Sequence, residues 1–219
     1  MKGLVLISVV LLLNVEAPRV HAQDAPAAQR HKPLFAPTDL GLLEAPDRAA
    51  WQKPEQIMDA LHIADGSKVA DIGAGAGWFT VHLAHRIGPN GIVYAEDVQR
   101  EMLEAIRRRV GRLGLQNVQT RLGTESDPNL PAAALDAVAM VDAYQEIADP
   151  VTFLKNLARS LKPNGLIGIV NYKPGRGGPG PPGNVRVDRA VVVADAKAAG
   201  LRIADEETLP YQYLIVLAK

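Results

Sequence analysis

The 219-residue chain contains no cysteine, which excludes disulfides, thiolate zinc sites, iron–sulfur clusters and cysteine nucleophiles together. It also lacks a charge surplus, because 24 Lys and Arg face 24 Asp and Glu. A protein that neutralises many phosphates needs a basic excess, so nucleic acid is not the expected principal partner. No apolar run reaches the roughly 20 residues that a membrane-spanning helix requires. No repeat at a fixed period and no G-x-S-x-G nucleophile elbow occurs. What remains is a globular composition, 47% apolar and 22% charged, long enough for one sizeable core plus an extension.

The amino terminus carries its own pattern. Lys2 precedes the apolar run Leu4–Leu13, broken only by Ser8, and a polar stretch then ends in Val20-His21-Ala22. A basic start, a short apolar run and small residues before a cut describe a secretory signal peptide over residues 1–22. The expectation is therefore export to the periplasm or medium, with no stable membrane span after cleavage. A membrane anchor formed by an uncleaved leader is the alternative. Loss of Lys2, Glu16 and Arg19 would leave 22 basic and 23 acidic residues, a net charge of −1. Residues 23–52 are rich in Pro and Ala and read as an arm that packs on the domain, with Trp51 as its anchor.

From Lys53-Pro54 onward, apolar runs alternate with helical patterns. Strands are expected at 68–72, 91–96, 118–122, 135–141, 166–170, 201–204 and 211–217, and helices at 78–87, 99–113 and from Asp149-Pro150 and Asp188. Pro163-Asn164-Gly165 is expected to stop the helix whose apolar stripe is Phe153, Leu154, Leu157 and Leu161. Seven strands with interleaved helices predict an α/β domain over residues 53–219 with a doubly wound, mostly parallel sheet. Nine of the twelve residues from Lys173 to Asn184 are Gly or Pro, and this loop could cover a ligand.

The chemistry concentrates at the end of the first strand, in Asp71-Ile-Gly73-Ala-Gly75-Ala-Gly77-Trp78. Strand, glycine loop and helix in that order let backbone approach a ligand closely at a helix start. A dinucleotide fingerprint would need a small residue at the sixth position, and the two registers put Trp78 or Thr80 there. Asp71 would also repel a pyrophosphate, whereas an ammonium or sulfonium ligand would be welcome. Asp97, twenty residues after Gly77, stands where an acceptor-only carboxylate takes both ribose hydroxyls. His82 and His85 share a helical face without an acidic partner at metalloprotease spacing, so no metal site is expected.

D-x-G-x-G-x-G, the acidic end of the second strand and the segment from Leu135 to Tyr172 resemble a class I S-adenosylmethionine-dependent methyltransferase. Within that family it is similar to the methyltransferase domains related to ubiquinone and menaquinone biosynthesis enzymes, and the resemblance covers about residues 53–217. It implies the sheet order 3-2-1-4-5-7-6 and S-adenosyl-L-methionine as cofactor. It implies that Asp71, Gly73, Gly75 and Gly77 hold the amino-acid portion. Asp97 would bind the ribose, Val98, Thr124 and Glu125 would meet the adenine, and Asp142 would sit near the methionine and the acceptor. Asp142, Tyr144 and Glu146 are the candidate catalytic residues, with Gln145 standing where relatives often carry histidine. The expected acceptor is a small molecule. The rival readings are a nucleotide-cofactor oxidoreductase on a similar fold and a non-catalytic cofactor-binding relative.

Overall fold

The computed structural model describes residues 34–175 and 177–219, so the proposed leader lies outside the described residues. Seven strands alternate with helices along the chain: β1 (Lys68–Ile72), β2 (Ile92–Asp97), β3 (Val118–Leu122), β4 (Leu135–Val141), β5 (Leu161–Tyr172), β6 (Arg202–Thr208) and β7 (Gln212–Ala218). The helices are α1 (Arg48–Gln52), α2 (Pro54–Ala60), α3 (Trp78–Ile87), α4 (Arg100–Arg112), α5 (Pro150–Ser160) and α6 (Arg189–Ala198). The sheet order is β3-β2-β1-β4-β5-β7-β6, and β7 runs antiparallel to both of its neighbours.

Burial on both faces explains why the central strands are continuous apolar runs rather than alternating ones. On one face, Val138, Met140, Ile167 and Ile169 pack with Phe153, Leu154 and Leu157 of α5 and Val192 and Ala196 of α6. On the other, Val69, Val93, Ala137 and Ala139 pack with Ile57 and Met58 of α2 and Phe79 and Leu83 of α3. Leu154 is fully buried, and its truncation to alanine would cost about 2–5 kcal/mol. Two helix starts follow from local chemistry. Asp149 accepts from the Thr152 amide at 3.1 Å, with Pro150 opening α5, and Asp188 accepts from the Ala190 amide at 2.7 Å at the start of α6.

Three boundaries differ from the sequence reading. Leu161 leaves the helical stripe and begins β5, pairing with Leu135 before the register shifts to Ala137 and Leu166. The Lys162–Gly165 segment is thus a strand irregularity, held where Lys162 Nζ donates to Asp136 Oδ1 at 2.6 Å. β6 extends to Thr208, because its exposed Asp205 and Glu206 and half-buried Glu207 pair with β7 through backbone rather than side-chain pattern. Residues 37–43 and 48–52 of the arm fold into a 3-10 turn and α1. Trp51 is buried there against the rings of Tyr172 and Tyr211, at 6.1 and 6.2 Å.

The topology decides where a ligand goes. The chain winds outward from β1 through β2 to β3, then returns to place β4 on the other side of β1. The crevice above the carboxyl ends of β1 and β4 is therefore the topological switch point, where open α/β sheets bind ligands.

Candidate functional site: an acid-lined cavity at the switch point

A cavity of about 180 Å³ opens there, walled by the glycine loop, the ends of β2 and β4, and residues 34, 35 and 48 of the arm. Gly73, Gly75 and Gly77 all have positive φ, between 54° and 79°. Space reinforces that requirement at Gly73, where a Cβ would stand 2.5 Å from the Ala143 Cβ, so any side chain would push the loop off β4.

Two loop amides are tied to the second strand. The Gly75 amide donates to Asp97 Oδ2 at 3.0 Å and the Gly73 amide to Glu96 Oε2 at 3.4 Å. Asp97 Oδ1 accepts from the Gln99 amide at 2.9 Å. Asp71 accepts from the Thr80 hydroxyl at 2.6 Å, which joins the end of β1 to the first turn of α3. Each of these carboxyls is buried, and burial raises all three. Asp71 rises to about 7 against the lowering influence of Thr80 and Arg48. Glu96 rises to about 8, burial being reinforced by the adjacent charge of Asp97. Asp97 rises too, opposed by its amide donors.

Asp142 stands at the end of β4 with φ 61°, a left-handed conformation rare outside glycine. It is largely buried and raised to about 6 by desolvation, against the lowering influence of Arg48 and Gln212. Gln212 Nε2 donates to its Oδ1 at 2.5 Å, Gln52 Nε2 donates in turn to Gln212 Oε1 at 2.7 Å, and Arg48 Nη2 lies 3.7 Å from Asp142 Oδ2. The Gln145 amide caps the Asp142 carbonyl.

The structure brings Asp71, Gly73, Gly75, Asp97, Val98, Thr124, Glu125, Asp142 and Glu146 together on the cavity wall. Gly77 stands one step back, as the residue that starts α3. Tyr144 is elsewhere. Its ring is buried in the core beside α5, and its hydroxyl donates to Asp195 Oδ2 at 2.8 Å. The strand-to-turn geometry that aims Glu146 at the cavity turns Tyr144 away from it. Glu146 Oε2 accepts from the Phe35 amide at 3.1 Å, while the Phe35 carbonyl accepts from Gln99 Nε2 at 3.0 Å. Residue 35 therefore crosses from the β4 lip of the cavity to the β2 lip.

The described residues of the Gly/Pro loop also lie away from the cavity, and none of them lines the wall. Arg186 gathers the loop instead, donating to the carbonyls of Lys173, Gly177, Pro179 and Pro181. The two histidines carry no metal cluster with them; among the described residues no group of three or more His, Cys, Asp or Glu side chains gathers as metal ligands. His82 instead packs its ring against that of Trp78, at 4.4 Å and tilted by 54°.

Arg48 is the site residue that sequence reading missed. It is 8% exposed and lies 4.3 Å over the Trp78 ring. Its only sequence signal is a basic residue four before Gln52, to whose Oε1 its Nε donates at 2.9 Å.

The donor set can be tested against the implied cofactor. Among the described residues, six carboxyl side chains line the cavity, namely Asp71, Glu96, Asp97, Glu125, Asp142 and Glu146. Glu96 Oε1 is buried without a hydrogen-bond partner. A buried polar atom of that kind normally has one, so the site asks for a ligand rich in hydroxyls and positive charge. An adenosyl sulfonium fits that demand and a pyrophosphate does not.

The comparisons with known proteins agree with the geometry. Residues 69–165 match the family model described as a methyltransferase domain. A solved S-adenosylmethionine-dependent methyltransferase from Aquifex aeolicus superposes with TM-score 0.80 at 29% identity, covering 84% of this chain and 98% of that one. The chain is 30% identical over 131 residues to nocamycin O-methyltransferase of Saccharothrix syringae, covering 60% of this chain and 44% of that protein. It is 30% identical over 116 residues to demethylmenaquinone methyltransferase of Geobacillus stearothermophilus, covering 53% of this chain and 49% of that protein. The chain thus spans about half the length of these curated relatives. Sheet order, glycine loop and family match converge: residues 69–165 match a methyltransferase domain, on a fold similar to that of a solved S-adenosylmethionine-dependent methyltransferase.

Proposed function

We propose that the protein transfers a methyl group from S-adenosylmethionine to a small-molecule acceptor, and that its leader exports it. The single observation that carries the catalytic reading is the acid-lined cavity at the switch point, with Asp97 braced by the Gly75 and Gln99 amides. Asp97 would accept from the ribose, Asp71 would face the ammonium group, and Val98, Thr124 and Glu125 would border the adenine. The cofactor, when bound, supplies an electrophilic methyl group. The chain's share of the work is to align and dehydrate the reactants, and alignment alone is worth roughly 7–11 kcal/mol.

At the acceptor end, Asp142 and Glu146 are the carboxyls able to take a proton, with Ile147, Ala148 and Phe153 forming an apolar wall beside them. Tyr144 has given its hydroxyl to Asp195 and has no such role in this reading. The modest volume and the apolar wall favour a small molecule over a macromolecule. Export rests on Lys2, the apolar run Leu4–Leu13 and Val20-His21-Ala22.

Calorimetry with S-adenosylhomocysteine tests the cofactor site. Asp97→Ala is expected to weaken binding at least tenfold, about 1.4 kcal/mol. Equal affinities for the two proteins would remove Asp97 from the site.

A further inference from the structure

The cavity wall is unbalanced in charge: among the described lining residues, Arg48 is the one basic side chain against six carboxyls. Burying an arginine is expensive unless its charge is used. Three contacts fix where that charge points. The guanidinium lies on the face of Trp78, the residue that opens α3 directly after the glycine loop. Its Nε is held by Gln52, and Asp142 at the end of β4 balances it from 3.7 Å. Its field lowers both Asp71 and Asp142. These neighbours place Arg48 at the β1–β4 end of the cavity, across from the ribose acid Asp97.

The proposed cofactor has two cationic groups and one anionic one at that end: a sulfonium, an ammonium and a carboxylate. The surrounding carboxyls suit the first two and repel the third. A carboxylate in such a wall is best stabilised beside a cation, and a planar guanidinium matches it geometrically. Resting on the methyltransferase reading, the geometry assigns Arg48 as the receptor for the cofactor's α-carboxylate. The group comes from α1, outside residues 69–165 that match the family model, so the arm is part of the cofactor site rather than an appendage.

The test uses a ligand pair that differs only in the carboxylate, S-adenosylmethionine and its decarboxylated form, titrated calorimetrically against the folded chain. The unsubstituted protein is expected to prefer the carboxylated ligand by at least tenfold. Arg48→Met is expected to reduce that preference to about twofold or less, chiefly by weakening the carboxylated ligand. Arg48→Lys, which keeps the charge and loses the fork, is expected to fall between and guards against a folding defect in the first variant. Equal weakening of both ligands by Arg48→Met would make Arg48 a brace for α1 and overturn the assignment. A preference that survives the substitution would overturn it as well. If the unsubstituted protein binds neither ligand, the methyltransferase reading itself fails, a different signature from either of these.

Discussion

Gln212 and Asp142 are 70 residues apart and joined by one hydrogen bond, in which the Gln212 amide donates to Asp142 Oδ1 at 2.5 Å. Because Gln52 donates to the same Gln212, this amide links the arm, the antiparallel strand β7 and the end of β4. Gln212→Leu would leave the Gln52 amide and the Asp142 carboxyl each short of a buried partner. Removing one partner of a buried hydrogen bond costs about 1–3 kcal/mol. Urea denaturation is expected to show a loss in that range, whereas Gln56→Leu, whose exposed amide bonds Glu207, should lose less than about 0.5 kcal/mol. Equal losses would show that the buried relay contributes nothing special.

The raised carboxyls make stability depend on pH in a definite direction. Asp71, Glu96 and Asp142 titrate near 7, 8 and 6 when folded, and Asp97 is raised as well. In an unfolded chain such groups titrate near 4. The folded state therefore holds protons more tightly, so their contribution is fully present below about pH 4 and is lost as pH rises through 6 to 8. A cationic ligand reverses the preference, because it favours the ionised forms. S-adenosylmethionine affinity is expected to rise severalfold from pH 6 to pH 8, with protons released on binding. Calorimetry in buffers of different ionisation enthalpy reads that release directly, and net proton uptake would contradict it.

Phe35 is fastened at both lips of the cavity, by Glu146 and by Gln99. Glu146→Ala removes one fastening, worth about 0.5–1.5 kcal/mol. Dissociation of S-adenosylhomocysteine, followed by stopped flow, is expected to accelerate between about twofold and tenfold. An unchanged dissociation rate would mean that the residue 35 crossing does not govern release.

Arg186 donates to four carbonyls of the Gly/Pro loop and lies over the Tyr172 ring. Since no described loop residue lines the cavity, Arg186→Met should loosen the loop and spare the cofactor. Limited proteolysis within residues 173–183 is expected to speed up about tenfold while S-adenosylhomocysteine affinity stays within about twofold. A parallel loss of affinity would restore the loop to the ligand face.

Legibility in the sequence followed how local each cause is. The first four strands could be read to within a residue: two-sided burial writes itself as apolar runs such as Ile-Val-Tyr-Ala and Ala-Val-Ala-Met-Val, while the edge strand shows as the alternation Val-Gln-Thr-Arg-Leu. The glycine loop was legible because positive φ demands glycine residue by residue. Leu161 was not: Pro-Asn-Gly is good turn chemistry, and only pairing with Leu135 turns that stretch into a strand. The placing of Tyr144 was hidden for a similar reason, since its partner Asp195 is 51 residues away. Arg48 was hidden most deeply. Its neighbours Trp78 and Asp142 meet it only after α1 has folded across the sheet, and nothing in the arm's composition encodes that meeting.

Asp142 keeps φ 61° at the carboxyl end of β4, a left-handed conformation that glycine enters most freely and that aspartate and asparagine enter more readily than other L-residues. Backbone conformation alone would favour glycine at this position. That an acid stands there instead gives the fold a carboxyl group with a prescribed heading, and its replacement would deprive Arg48 and Gln212 of the partner they share.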